Sequence, residues 1–186
     1  MSDTATTQAA SAVSYQIDTA HSAAQFKVRH MMIANVKGEF TKVTGSVVYD
    51  PSNPAGSKIE AAIDATTIST RDPQRDGHLK SADFLDVEKF PEITFKGMSV
   101  TSTGADSFEI KGDLTIHGVT NSVALKVEEL TAEVKDPWGN MRRGATASTK
   151  INRKDFGLAW NAALEAGGFL IGDTVDIHID IELIRQ

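Results

Sequence analysis

The sequence contains no cysteine. This absence excludes disulfides, thiolate metal sites and cysteine nucleophiles, and it leaves the redox compartment open. An excess of basic residues is also lacking, since 25 acidic residues outnumber 19 lysines and arginines, which gives a net charge of -6. Because nucleic-acid-binding domains usually carry a basic footprint, this balance argues against a nucleic-acid partner.

Long apolar runs are missing as well. No stretch approaches the roughly 18 apolar residues that a membrane span needs. The N-terminus reads MSDTATTQAASAVSYQID and has neither a basic segment nor an apolar core, so a secretory signal is not expected. We therefore expect a soluble cytoplasmic protein, with a periplasmic location less favoured. Residues 1–13 are predicted to be a flexible tail, and residues 14–186 one domain.

Motifs for catalysis and metal binding are scarce. The sequence has no Gly-x-Ser-x-Gly elbow, no phosphate-binding Walker loop and no dinucleotide fingerprint, so a non-enzymatic protein is expected. His21 has a candidate partner in Asp18, but a metal site needs three or more convergent ligands, and the spacing supplies none. The Asp176-x-His178-x-Asp180 pattern is interpreted as the solvated face of an amphipathic strand.

What the sequence does contain is period-two alternation of apolar and polar residues. In the last segment the apolar face consists of Val175, Ile177, Ile179, Ile181 and Leu183. Phase slips between Phe40 and Val43 and near Glu128 predict bulges in long strands. Roughly eight strands at hairpin spacing predict an all-β antiparallel barrel or a sandwich. Short helices are predicted at 73–80 and 161–166, with a turn at 29–34.

Several of the predicted inward positions carry small side chains. They are Ala24, Ala61, Ala145 and Ala147. A barrel of eight strands lined by such residues can leave a dry cavity instead of a filled core. A cavity of that kind would be apolar, and so would its ligand.

The order and spacing of the motifs resemble the YceI-like family of lipocalin-like polyisoprenoid-binding proteins. The matching segments are IDTAHSAAQFKVRHMM (17–32), GEFTKVTGSVVYDP (38–51), RDGHLKSADFLDVEKFPEITF (75–95), KGDLTIHGVT (111–120), INRKDFGLAWNAALEAGGFLIGD (151–173) and the terminal strand. The resemblance implies an extended eight-stranded antiparallel barrel that holds a long isoprenoid lipid, of the isoprenoid quinone or prenyl diphosphate type. It implies no other cofactor, and the protein would act as a carrier or reservoir.

The candidate ligand contacts fall into two groups. The inward strand phase gives the contacts for an apolar tail: Phe26, Phe95, Leu114, Ile177 and Ile179. The connections and the family match give the second set: His30, Arg75, His78, Leu79, Phe84, Phe156 and Trp160. Arg75 and His78 either meet a polar head group, for which an arginine fork is suited, or brace their own loop; bracing is favoured. Leu79 and Phe84 would plug the barrel.

Two further regions, the long connection before the last strand and the densest basic region, each allow two interpretations. Phe156 and Trp160 would cap one barrel end or gate its mouth. The densest basic region comprises Arg142, Arg143, Lys150, Arg153 and Lys154. It is interpreted as a solvated face, with a phosphate head or a transient contact with an anionic membrane as the alternative.

Three hypotheses about function follow. The first is the isoprenoid carrier. The second is a small enzyme that uses His21, His30 or His78 as acid or base, for which turnover should collapse on substitution by alanine. The third is a stress-related interaction module, a homodimer included, which an empty, side-chain-filled barrel with an exposed apolar patch would favour.

Overall fold

In the computed structural model, which describes residues 12–165 and 167–186, the chain forms a twelve-stranded antiparallel sheet with a single α-helix. The strands are β1 (Val13–Ile17), β2 (Ala23–His30), β3 (Ala34–Phe40), β4 (Val43–Tyr49), β5 (Lys58–Asp64), β6 (Ile68–Ser69), β7 (Glu92–Ser102), β8 (Phe108–Ile116), β9 (Val119–Glu128), β10 (Val134–Lys135), β11 (Met141–Asn152) and β12 (Ile171–Arg185). The helix α1 spans Pro73–Lys80, and short 3-10 helices span Thr19–His21, Pro54–Gly56, Ala65–Thr67 and Arg153–Phe156.

The sheet closes on itself. β1 and β2 lie end to end along β12, β3 and β4 lie end to end beside them, and the same holds for β5 with β6 and for β9 with β10. β11 then pairs with β12 from Arg142↔Ile184 to Asn152↔Thr174, which joins the two edges. Closure leaves no long unpaired edge. The predicted eight-stranded antiparallel barrel is confirmed, and the sandwich alternative is wrong.

The phase slips in the sequence correspond to breaks between strands. Phe40 ends β3 and Val43 begins β4, and both side chains are buried. β9 ends at Glu128, and Glu129 has a positive φ of 57°. The sheet's register shifts lie elsewhere, between Gly97 and Ser99 and between Ile171 and Val175. The phase slips therefore mark the correct positions in the sequence. The structure has bends of the chain between strands at these positions and not bulges.

Helix α1 confirms the prediction at 73–80. Asp72 caps it, because its carboxylate accepts from the backbone N–H groups of Gln74 and Arg75 at 3.1 Å, and Pro73 occupies the first turn. The turn within 29–34 is present at 31–33. The helix predicted at 161–166 is wrong over 161–165, where Ala163 instead bridges to Phe169; residue 166 lies outside the described residues.

The domain boundary predicted at residue 14 stays a prediction. Residues 1–11 of the predicted tail lie outside the described residues, and Val13 already pairs with Tyr49 in β1. Over the described ranges, none of the helices has the length and apolar character needed to cross a bilayer.

Candidate ligand cavity

The barrel encloses a cavity of about 430 Å³. All eight strand positions contribute lining residues, and most of the lining is aliphatic or aromatic. The volume lies within the range of roughly 300–1,000 Å³ that is typical of small-molecule sites. The interior is thus only partly filled by side chains, as the small inward residues predicted.

The five predicted tail contacts all border this cavity. Phe26 lies opposite Ile177 in the β2–β12 ladder, and Phe95 lies opposite Leu114 in the β7–β8 ladder. The two ladders are four strand positions apart in a ring of eight, so they form facing walls. Ile179 extends the first wall beside Ala24. The alternation therefore identified both walls of the lumen.

Small residues keep the lumen open. The four predicted alanines at positions 24, 61, 145 and 147 all border the cavity. Gly38 lies opposite Phe26, and a Cβ there would come within 2.4 Å of the ring carbon Cζ. The ring of Phe26 therefore packs against a residue that has no side chain, and any larger residue at 38 would displace it.

The connection after α1 closes one end of the barrel with aromatic rings. His78 packs edge-on against Phe84 and Trp160, with ring centroids 5.0 and 4.7 Å apart. Its Nε2 lies 2.9 Å from a carboxylate oxygen of Asp83. These three rings and Leu79 border the cavity, so the predicted plug is also part of its lining.

Arg75 borders the cavity and braces its loop at the same time. Its Nε donates to the hydroxyl of Thr70 at 2.7 Å, and its Nη2 donates to the carbonyl of Thr70 at 2.9 Å. The same hydroxyl donates to Asp76 at 2.5 Å. Thr70 is 5% exposed, so this network ties α1 to the end of β6. The favoured interpretation of Arg75 as a brace agrees with this geometry.

Arg153 is the most deeply placed cation of the site. It is 3% exposed, and it donates to the backbone carbonyls of Leu158, Trp160 and Gly172 at 2.5, 2.8 and 2.9 Å. Burial lowers its pKa, and the nearby carboxylate of Asp173 acts in the opposite direction. The interpretation of Arg153 as part of a solvated face is wrong, because its donors hold the 158–172 connection against the barrel.

Phe156 follows in the same 3-10 helix but is not among the residues that border the cavity. It is 2% exposed and belongs to the hydrophobic core. His30 does border the cavity, at the end of β2. Eleven of the twelve predicted ligand contacts thus lie at the cavity, and Phe156 packs behind it.

The opposite end of the lumen carries a polar cluster of which the sequence predictions include only Arg143, as part of the basic region interpreted as a solvated face. The guanidinium of Arg143 lies over the rings of Tyr15 and Tyr49, at 5.8 and 5.2 Å from their centroids. Arg143 also donates to the carbonyl of Thr131 at 2.8 Å. Burial raises the pKa of Tyr15, and so does its 2.7 Å hydrogen bond to Glu133. All three ring and guanidinium groups border the cavity. Arg143 is therefore not a freely solvated residue. For Tyr15 the only sequence signal was its alternation with Ile17.

Asp18, His21 and Glu182 form a group with metal-ligand chemistry on the outside of the barrel. Arg142 already occupies it: its Nη1 donates to Asp18 at 2.5 Å and to Glu182 at 2.6 Å, and its Nε donates to Asp136 at 2.7 Å. These hydrogen bonds, Arg142 first and then His21, lower the pKa of Asp18 to about 2. The guanidinium thus fills the position a metal ion would need. Arg142 is also not a freely solvated residue.

The other outward groups behave as predicted. Asp176 pairs with Lys27 at 3.1 Å and with Lys150 at 3.3 Å on the outer face of the sheet. His178 lies 3.3 Å from Asp180 on the same face. The interpretation of this strand as having a solvated polar face agrees with the structure.

The comparison with protein families decides among the barrel folds. A model described as a YceI-like domain matches residues 15–183. The chain belongs to the YceI-like family. The resemblance inferred from the motifs is thus confirmed, and it covers all but the outermost residues of the barrel.

Individual relatives support the same assignment. A UPF0312 protein of Vibrio cholerae is 40% identical over 180 residues, which cover 96% of this chain and 90% of that protein. Among solved structures, a YceI protein of Campylobacter jejuni has a TM-score of 0.71 at 25% identity and covers 85% of this chain and 90% of its own. A structure described as a polyisoprenoid binding domain from Saccharophagus degradans has a TM-score of 0.68 at 16% identity and covers 94% and 99%.

Proposed function

We propose that this YceI-like protein binds a long-chain isoprenoid lipid inside the barrel and acts as its carrier or reservoir, without catalysing a reaction. The observation that supports this most directly is the apolar cavity of about 430 Å³ with Phe26 and Ile177 facing Phe95 and Leu114. Transfer of an apolar chain from water into such a lumen gains roughly 25 cal/mol for each Å² removed from solvent. The naming of the Saccharophagus degradans domain as polyisoprenoid binding supports the same ligand class.

The polar groups at the two ends of the lumen are candidates to position a head group. His30, Arg75 and His78 border one end, and Arg143 borders the other between two tyrosines. An isoprenoid quinone would offer carbonyl oxygens to these donors, and a prenyl diphosphate would offer phosphate oxygens. Both head-group classes remain part of the proposal, and the experiment below distinguishes them.

The test begins with protein purified without added lipid. Native mass spectrometry and organic extraction should recover an apolar compound in stoichiometric amount. Stripped protein should then be titrated with a long-tailed ubiquinone and with a prenyl diphosphate of matched tail length. Recovery of no compound, together with no binding of either probe, would refute the proposal.

The acid–base enzyme and the interaction module stay predictions. His78 with Asp83 is the histidine pair beside the cavity, whereas His21 pairs with Asp18 on the outside. A His78→Ala variant that keeps its fold and its ligand but loses a measurable turnover would favour the enzyme. A stable dimer with an empty, ligand-refractory barrel would favour the module.

A further inference from the structure

The turn between β2 and β3 presents three consecutive apolar side chains to solvent. Met31, Met32 and Ile33 are 40%, 61% and 77% exposed. Phe169, which is 58% exposed, lies beside this turn, because the N–H of Met31 donates to the carbonyl of Leu170 at 2.8 Å. These four residues, Met31, Met32, Ile33 and Phe169, are named the apolar rim below.

The backbone of this turn is unfavourable for the residues that occupy it. Met31 and Met32 have φ values of 49° and 62°. Two successive left-handed residues are typical of a tight hairpin turn that favours asparagine and glycine. Bulky side chains in this conformation are outliers, and such outliers concentrate at functional positions. Backbone strain and exposed apolar side chains therefore coincide in the turn between β2 and β3.

The apolar rim is continuous with the cavity. His30 precedes Met31 and Leu170 follows Phe169, and both His30 and Leu170 border the cavity. Trp160, from the same connection as Phe169, borders it too. A molecule leaving the lumen between β2 and the 159–170 connection would therefore pass directly onto the rim.

We propose that the apolar rim inserts into the surface of a lipid bilayer, so that this end of the cavity faces the hydrocarbon. The choice of a membrane rests on the proposed function, because an isoprenoid lipid would be exchanged with one. The size of the rim also favours it. Four side chains expose an apolar area on the order of a few hundred Å², below the roughly 800 Å² that each partner buries in a standard protein interface. A small convex tip is sufficient for shallow insertion between head groups.

Charges around the rim are balanced. Arg29 donates to the carbonyl of Met32 at 2.9 Å, and the Nζ of Lys154 lies 5.9 Å from the centre of the Phe169 ring. Lys154 also pairs with Asp173 at 2.9 Å, and Glu165 is exposed in the same connection. Insertion should therefore occur on zwitterionic vesicles and change little with salt, because apolar contact rather than net charge drives it.

The two tryptophans of the chain lie at opposite ends of the barrel, so their fluorescence reports which end contacts a membrane. Trp160 lies at the rim end, whereas Trp138 is 82% exposed in the β10–β11 turn. β11 runs 12 residues from that turn to the rim end of the barrel, which corresponds to roughly 35–40 Å along the strand. The Trp138→Phe variant isolates the rim reporter, and the Trp160→Phe variant isolates the far one.

The experiment uses phosphatidylcholine vesicles with brominated acyl chains, which quench nearby tryptophan. Trp160 in the Trp138→Phe variant should be quenched, and Trp138 in the Trp160→Phe variant should not. In vesicle co-sedimentation, the double variant Ile33→Ser/Phe169→Ser should partition roughly tenfold less than wild type. Trp138→Ser, which removes an equally exposed apolar group from the far end, should partition as wild type does.

Quenching of Trp138 instead of Trp160, or unchanged partition of the double variant, would overturn the inference. Titration of the same double variant with a short-tailed, water-soluble quinone separates the two proposals, since neither substituted residue borders the cavity. Normal quinone binding by a wild-type protein that does not partition to vesicles would refute the proposed membrane contact and leave the proposed function in place. Vesicle partition, together with no binding of the short-tailed quinone, the long-tailed ubiquinone or the prenyl diphosphate, would refute the proposed function alone.

Discussion

Blocking the lumen at Ala147 should weaken the binding of long tails while leaving the fold intact. Ala147 is 8% exposed, borders the cavity and lies between Val127 of β9 and Ile179 of β12. In an Ala147→Phe variant the new ring has the 430 Å³ cavity in front of it, so it can enter the lumen without displacing the backbone. The variant should therefore unfold at the same temperature as ligand-free wild type, or higher.

The loss of affinity follows from the carbon atoms that the ring displaces. Each excluded isoprene unit has five carbons, and about 0.8 kcal/mol for each buried carbon gives about 4 kcal/mol. Contact between the remaining ligand and the phenyl ring offsets part of this loss. A net loss of about 2 kcal/mol corresponds to a roughly thirtyfold larger dissociation constant.

The assay is a titration of stripped protein with quinones of increasing tail length, monitored by the fluorescence of Trp160 at the cavity. Wild-type affinity should rise with each isoprene unit, and the affinity of Ala147→Phe should level off after the first units. The matched control is Ala124→Phe, because Ala124 lies on the exposed outer face of β9. Equal affinities of both variants and wild type for the longest tail would refute the lumen as the binding site.

Three predictions concern stability and can be checked by urea unfolding. Arg153→Met should lose about 3 kcal/mol, because it strips buried backbone carbonyls of their charged donor. Arg142→Leu should lower the free energy of unfolding at pH 7. The hydrogen bond from Arg142 holds the pKa of Asp18 at about 2, so the stabilisation by this pair is complete above about pH 4 and is lost as the pH falls towards 2. The difference in free energy of unfolding between wild type and variant should therefore narrow over that interval, and a constant difference would contradict the argument. Met31→Asn/Met32→Gly should raise stability by about 1 kcal/mol by relieving two left-handed side chains, and no gain would mean that the turn is unstrained.

The barrel could be predicted because its signal is local and repeated. The run from Val175 to Leu183 alternates without interruption, and every inward residue of it borders the cavity. The helix at 73–80 has a cap and a proline in adjacent positions, which is sufficient to place it. The segment 161–165 has the composition of a helix, but Asn161 fixes it differently: its amide donates to the carbonyl of Ile171 at 2.7 Å and its oxygen accepts from the N–H of Ile171 at 3.0 Å. Such side-chain pairing with the backbone of a later segment overrides local propensity.

Bracing by Arg75 was the favoured interpretation, but the roles of Arg143 and Arg153 could not be predicted, because a backbone carbonyl leaves no trace in the sequence. Arg75, Arg143 and Arg153 all border the cavity, and each donates to the carbonyl of a segment that closes one end of it. Their charge is therefore partly committed to holding the barrel ends before any ligand arrives. A head group that competes for these donors would loosen the ends, whereas an apolar tail uses surface that has no other partner. We therefore expect tail length to govern affinity more strongly than head-group charge. The quinone series measures the effect of tail length, and the matched ubiquinone and prenyl diphosphate measure the effect of the head group.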